Sequence, residues 1–455
     1  MTRQLWLRPS TLVGLFVLGS GLCPLPAEAD GSGPGAPPAE GSVYEWSRAV
    51  VDWGDLGTDV AVAVAPGTGD PYVSYYNLGE GDLWFARHVA GSWSRQLVDS
   101  EGNVGRYSSI AVFTDAAGLN VVISYHDATT GSLKVATGLC TETCVFSTWL
   151  IDGGYPPGGS YAGRYSSVVH SDWGVIAVAY QEAHDDGGEA VRLAQTVSSG
   201  GNCGAGGAAG RWQCDTIYGD NDVGYFNWLT LDSLHMPHIS YYLKRSDSHG
   251  PYHLWYDPSV PQWRLDSSWV WGHFSGASVS HIVEASGLVH QAFLDETTEE
   301  LVYATYVGTG GNCGYDGSNN AYWCDVIDGV GVVDLSNRTA AMAADPAGYP
   351  IIAYRYAYDG FGSELRLAQP LAAAPPGWSP NCGPSNTWVC STVDVGVSVE
   401  NADAVSIASN AHGTAIAYLE DNDYDGDLKV ALRFVPLFAD DFESGDTSAW
   451  SAVVP

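Results

Sequence analysis

A short apolar strand ending in a small residue and an aromatic, then a polar hairpin, then a strand of Leu-x-x-Ala character, occurs seven times in this chain. The plainest copies run from Val73-Ser74-Tyr75-Tyr76 to Leu83-Trp84-Phe85-Ala86 and from Ile123-Ser124-Tyr125-His126-Asp127 to Leu133-Lys134-Val135-Ala136. The aromatics Tyr75, Tyr125, Tyr180, Tyr241, Phe293, Tyr354 and Tyr418 recur every 50 to 64 residues. A unit of that length has room for four strands, and units that cannot bury their apolar faces alone must stack on their neighbours.

Each copy is preceded by a strand of small residues, such as Val60 to Val64, Ser108 to Phe113, Ser166 to His170 and Thr339 to Ala343. Small side chains suit strands that crowd around a common axis. Six copies are followed by a strand opening with Trp and often closing with Asp, as in Trp93 to Asp99 and Trp388 to Asp394. The seventh lacks one, but Trp46 to Asp52 near the start repeats the same spacing. The predicted fold is therefore all-β, a seven-bladed β-propeller of four-stranded antiparallel blades, closed by the N-terminal strand completing the last blade. Closure in this way leaves no unpaired edge to aggregate, and a monomer is expected.

Residues 1–29 have the basic start, apolar core and Ala27-Glu28-Ala29 cleavage pattern of a secretory signal, so a secreted or cell-surface protein is expected. Residues 30–42 form a Gly/Pro-rich linker, 43–436 the propeller and 437–455 a C-terminal tail, which reads either as a sorting or anchoring signal or as a simple end. No later stretch is apolar enough to span a membrane. Beyond Cys23 the cysteines fall into close couples: Cys140 with Cys144, Cys203 with Cys214, Cys313 with Cys324, and Cys382 with Cys390. Locality and an oxidising compartment point to four disulfides, whereas zinc would want CxxC-type spacing that these couples lack. With 52 Asp and Glu against 18 Lys and Arg, the formal charge of −34 argues against nucleic acid and anionic lipid as partners.

The repeat best seen at Ile123 to Ala136 resembles those of secreted bacterial propellers in the sialidase-like superfamily. The resemblance implies a propeller shape. Neither the superfamily's Ser-x-Asp-x-Gly-x-x-Trp turn nor its Arg-Ile-Pro opening is present, so it does not carry a sialidase activity with it.

In a propeller, the segments leading into the inner strands and the hairpins after the second strands share one face. The predicted disulfides lie on the other. The polar face is expected to gather Arg106, Tyr107, Arg164, Tyr165, Tyr225, His273 and Arg338 from the first set, and Asp127, Glu182 and Asp295 from the second. These ten are the candidate ligand-binding residues. Gly-Arg-Tyr-Ser-Ser occurs twice, at Gly105 to Ser109 and Gly163 to Ser167. Planar guanidinium groups at equivalent positions suit a carboxylate or sulfate; alternatively each arginine pairs with Asp127 or Glu182 and ties blades together. Asp421, Asp423 and Asp425 open like a calcium loop, but Leu432 stands where its closing Glu would be. Calcium is thus the one cofactor the sequence suggests. The expected role is an extracellular, non-catalytic propeller holding a glycan or protein. The alternative is a sialidase-like glycan-cleaving hydrolase, with Asp127 or Glu182 as acid or base and Tyr107 or Tyr165 nearby.

Overall fold

The computed structural model describes residues 46–153, 160–184, 188–245, 249–270, 272–314, 320–331, 338–358, 362–375, 377–397, 404–421 and 426–434. The segments expected to be signal, linker and tail, together with Asp423 and Asp425, lie outside these residues. The described chain forms seven four-stranded antiparallel sheets. Taken in chain order from Leu56–Val64, these are blades 1 to 7, and almost no helix accompanies them. No helix among the described residues is long and apolar enough to cross a membrane. Blade 7 consists of Val405–Asn410, Gly413–Asp421, Gly426–Phe434 and Ser47–Asp52, the last pairing antiparallel with Gly426–Phe434 so that Ser47 faces Leu432.

The inner strands are longer than the sequence suggests, because a bulge precedes the small-residue run. In blade 2 the strand is Val104–Asp115, and its register against Gly118–Asp127 slips between Val104 and Arg106 and again between Arg106 and Ser109. Blades 1, 3, 4 and 5 slip at the corresponding place. A residue in left-handed backbone conformation makes the slip in four of them: Tyr107, Tyr165, Phe226 and Ser278, with φ between 49° and 58°. Bulges of this kind bend a strand and re-aim a side chain.

The two Ser-Ser pairs in the duplicated pentapeptide explain how adjacent inner strands fit. Ser109 Oγ accepts the backbone N–H of Val168 in the next blade at 3.1 Å, and Ser167 Oγ accepts that of Leu229 at 2.9 Å. Their neighbours reach backwards, Ser108 Oγ meeting Ser74 Oγ at 3.0 Å and Ser166 Oγ meeting Ser124 Oγ at 2.8 Å. Small hydroxyls therefore satisfy buried backbone donors where a bulky side chain would not fit.

A second repeated device joins the blades further out. The Asp that ends one blade's outer strand accepts the phenol of the next blade's second-strand Tyr: Tyr75 to Asp52, Tyr125 to Asp99, Tyr180 to Asp152, Tyr354 to Asp328 and Tyr418 to Asp394, all at 2.5–2.7 Å. In four of these clamps a third-strand cation completes the group: Lys134, Arg192, Arg366 and Lys429. Asp52 takes Arg95 instead.

All four predicted disulfides form. The Asn preceding the first Cys in three of them binds the backbone of the second through both amide atoms, as Asn202 does to Cys214 at 2.9 and 2.7 Å. Asn312 and Asn381 repeat the contact at Cys324 and Cys390. These clips lie in third-to-fourth strand connections, on the face opposite the bulges.

Candidate functional site

The bulges turn their residues toward the axis, where the inner strands enclose a cavity of about 210 Å³. Blade 1 contributes Asp59 to it, blade 2 Tyr107, blade 3 Tyr165, blade 4 Phe226, Asn227 and Trp228, and blade 6 Arg338. The aromatics form one continuous wall. Tyr107 and Tyr165 lie 4.5 Å apart, Tyr165 and Phe226 5.3 Å, and Tyr165 and Tyr225 5.4 Å between ring centroids. Burial raises the Tyr107 and Tyr165 phenols, so both present neutral hydroxyls.

Arg338 is the cation of the cavity. Its Nη2 donates to the Asn227 carbonyl at 3.2 Å and its guanidinium lies 4.8 Å from the Trp228 ring centroid. Its Nη1 is buried without a hydrogen-bond partner among the described residues, and so is Asn227 Oδ1. Burial lowers Arg338 to about 10, opposed by the charge of Asp59. It still carries its proton at neutral pH.

Asp59 is the carboxylate of the cavity. Burial pushes it up to about 6, while the Tyr107 backbone N–H and the charges of Arg106 and Arg338 pull the other way. Arg338 influences it through space, without a hydrogen bond. Both residues line the same cavity.

The ten sequence-predicted residues separate into three groups. Tyr107, Tyr165 and Arg338 line the cavity. Arg106, Arg164 and Tyr225 are not among its lining residues: Arg106 lies over the Tyr76 ring at 5.5 Å and Arg164 over the Tyr161 ring at 4.3 Å, while Tyr225 donates to Glu189 at 3.3 Å. The remaining four are engaged elsewhere. Asp127 Oδ1 accepts the N–H groups of Thr129 and Thr130, and Asp295 Oδ1 those of Thr297 and Thr298, so both shape hairpin turns. Asp295 also binds His273 Nδ1 at 2.7 Å, and Glu182 pairs with Arg192 at 3.0 Å. The interblade role imagined for Arg106 and Arg164 thus falls to Arg192 and its equivalents. Asp421 ends the second strand of blade 7, and its two calcium-loop companions are outside the described residues. Among the described residues no group of three or more His, Cys, Asp or Glu side chains is arranged to hold a metal.

The architecture is that of a seven-bladed β-propeller. No protein-family model matches the chain, and no curated protein does. Solved structures of similar shape include a mutant of AofleA from Arthrobotrys oligospora, at 13% identity and a TM-score of 0.46, covering 79% of this chain and 92% of that one. The polysaccharide lyase Uly1 has 10% identity and a TM-score of 0.46, over 88% of this chain and 94% of its own. A fucose-specific lectin from Aleuria aurantia has 12% identity and a TM-score of 0.42, over 76% and 98%. Trypanosoma rangeli sialidase has 8% identity and a TM-score of 0.41, over 85% and 55%. At such distances the cavity's own residues decide what it can do.

Asp59, Asn227 and Trp228 are the cavity residues that sequence reasoning missed. A signal for Asp59 exists. Glycine stands two places ahead of each bulge residue, in Gly105-x-Tyr107, Gly163-x-Tyr165, Gly224-x-Phe226 and Gly276-x-Ser278, and the same spacing in blade 1 reads Gly57-x-Asp59.

Proposed function

We propose that this protein is a carbohydrate-binding propeller that holds a glycan at the channel mouth of its polar face, outside the cell. The observation that carries the reading is the convergence of the Tyr107, Tyr165, Phe226 and Trp228 rings on one cavity also lined by Arg338 and Asn227, whose buried Nη1 and Oδ1 have no hydrogen-bond partner among the described residues. Aromatic faces pack against the C–H faces of sugar rings, and a few fixed polar groups then set orientation. Buried polar atoms without partners are costly, and ligand hydroxyls or acidic groups would satisfy them. Four disulfides fit an oxidising, extracellular setting.

A glycan array probed with the full-length protein and with a Tyr107→Ala, Tyr165→Ala double variant tests the proposal. The wild-type protein is expected to retain a defined set of glycans, and the double variant to lose at least tenfold in affinity for them while keeping its thermal midpoint above room temperature. Equal retention by a folded double variant contradicts the proposed site.

One observation favours a second reading, glycan cleavage: Asp59, raised to about 6, sits beside a tyrosine pair. A carboxyl in that range suits general acid work, and a tyrosine can replace the second carboxylate at a sugar's anomeric carbon. This reading requires turnover of a bound glycan, abolished by Asp59→Asn with binding intact. Under the binding reading no product forms in either protein.

A further inference from the structure

We infer that the channel site takes an anionic group of its glycan, a carboxylate or sulfate, on the free Nη1 of Arg338, with Asp59 as the built-in competing anion, so that binding tightens on acidification. The inference rests on the proposed glycan site and adds to it the charge class of the ligand and a means of control.

Among the described residues, no side chain in contact neutralises the cation of the cavity. Arg338 has the Asn227 carbonyl, the Trp228 face and the field of Asp59, and its Nη1 has no hydrogen-bond partner among the described residues. A buried charge without an ion partner is unfavourable, and an entering carboxylate or sulfate would accept directly from Nη1 in a charge-assisted hydrogen bond. Asn227 Oδ1, also unpartnered, would accept an adjacent hydroxyl of the same sugar.

Asp59 sets the condition. When ionised, it is a second negative charge within the same small volume and repels an anionic ligand. When protonated, it leaves Arg338 to the ligand and offers an O–H donor. The titratable or charged groups facing it are Arg106 and Tyr107 from the inner strand of blade 2, Tyr165 from that of blade 3, and Arg338 ahead of that of blade 6. Blade 7 lines the cavity with Ala404, Ser406 and Ile407, none of which titrates. Both tyrosines are raised by burial and stay neutral, and the arginines stay charged. Asp59, raised to about 6, is therefore the group in this cluster that changes charge between pH 5 and 7.5.

Calorimetric titration of the full-length protein with D-glucuronate, glucose 6-sulfate and methyl glucoside at pH 5.0 and pH 7.5 tests this. Both anionic sugars are expected to bind more tightly at pH 5.0, by up to about thirtyfold as the protonated fraction of Asp59 rises, and the neutral glycoside equally at both. Asp59→Asn should hold the anions at pH 7.5 as tightly as the wild type does at pH 5.0, and Arg338→Gln should lose them at both. If only one of the two anions responds, that one is the ligand chemistry. Anion affinity that ignores pH, or that survives Arg338→Gln, overturns the inference. Should Arg338→Gln fail to fold, the pH response of Asp59→Asn decides alone. Neutral glycans held by the aromatic wall without any anion preference would sink this inference and leave the glycan site standing, whereas no sugar binding at all would remove both.

Discussion

At Gly105 the backbone runs at a φ of 111°, and a Cβ placed there would stand 2.9 Å from Cα of Leu83 in the preceding blade. Gly163 repeats the arrangement, with φ of 93° and Leu133 Cα at 2.7 Å. These glycines let one blade's inner strand press onto its neighbour, and the residue two places on is thereby turned to the axis. Gly105→Ala is expected to cost on the order of 2–3 kcal/mol, combining left-handed strain with a backbone clash. Gly91 has φ of 80° but open space around it, so Gly91→Ala should cost only about 1 kcal/mol. Denaturant unfolding of the two variants checks the difference, and equal losses would show that the packing contact is unimportant. At this scale the sequence is partly legible. The duplicated Gly-Arg-Tyr-Ser-Ser marks Tyr107 and Tyr165 openly, because both copies use the same residues for the same job. Asp59 lies in an equivalent position with different chemistry, just ahead of the expected strand. Its burial and raised carboxyl arise only when the inner strands converge, which no local pattern records.

The Tyr–Asp clamps explain why the second strands carry Tyr and the outer strands close with Asp, a pairing visible as two separate repeats in the sequence but joined only across blade boundaries. Two blades depart from it. In blade 5 the tyrosine is replaced by Phe293, so the second strand has no phenol to give Asp266; in blade 4 the Tyr241 hydroxyl has no partner among the described residues. The junction of these blades instead buries three histidines. His238 Nδ1 and His253 Nε2 are 3.0 Å apart, His253 Nδ1 meets the Tyr322 hydroxyl at 3.1 Å, and His281 Nε2 meets Thr230 Oγ1 at 2.7 Å. Burial pulls His253 and His281 well below the usual imidazole range, helped by the charge of their histidine neighbours. A depressed folded value means the stabilisation is complete above the unfolded pKa, near 6.5, and is lost as pH falls towards the folded one. Stability should thus decline below about pH 6.5, by up to about 1.4 kcal/mol per pH unit for each histidine. Unfolding free energies at pH 7.5 and 5.0 for the wild type and for His281→Leu check this: the variant should lose less on acidification, and an equal loss would place the acid sensitivity elsewhere.

Across the whole molecule, the blade count was legible because a ring repeats its units, and seven aromatics at near-regular intervals report that directly. The channel was not, because it is where the copies differ: an acid, two tyrosines, a phenylalanine and an arginine facing one cavity. The charge of −34 gives this difference its weight. Several of the few cations are committed to interblade clamps, while Arg338 alone among the cavity-lining residues is cationic. The most direct test is a crystal structure of the protein with the glycan it retains most tightly. The account predicts a sugar ring against Tyr107 and Tyr165, with an oxygen within hydrogen-bond distance of Arg338 Nη1. A glycan ordered on the outer strands or on the disulfide face, with none in the channel mouth, would contradict it.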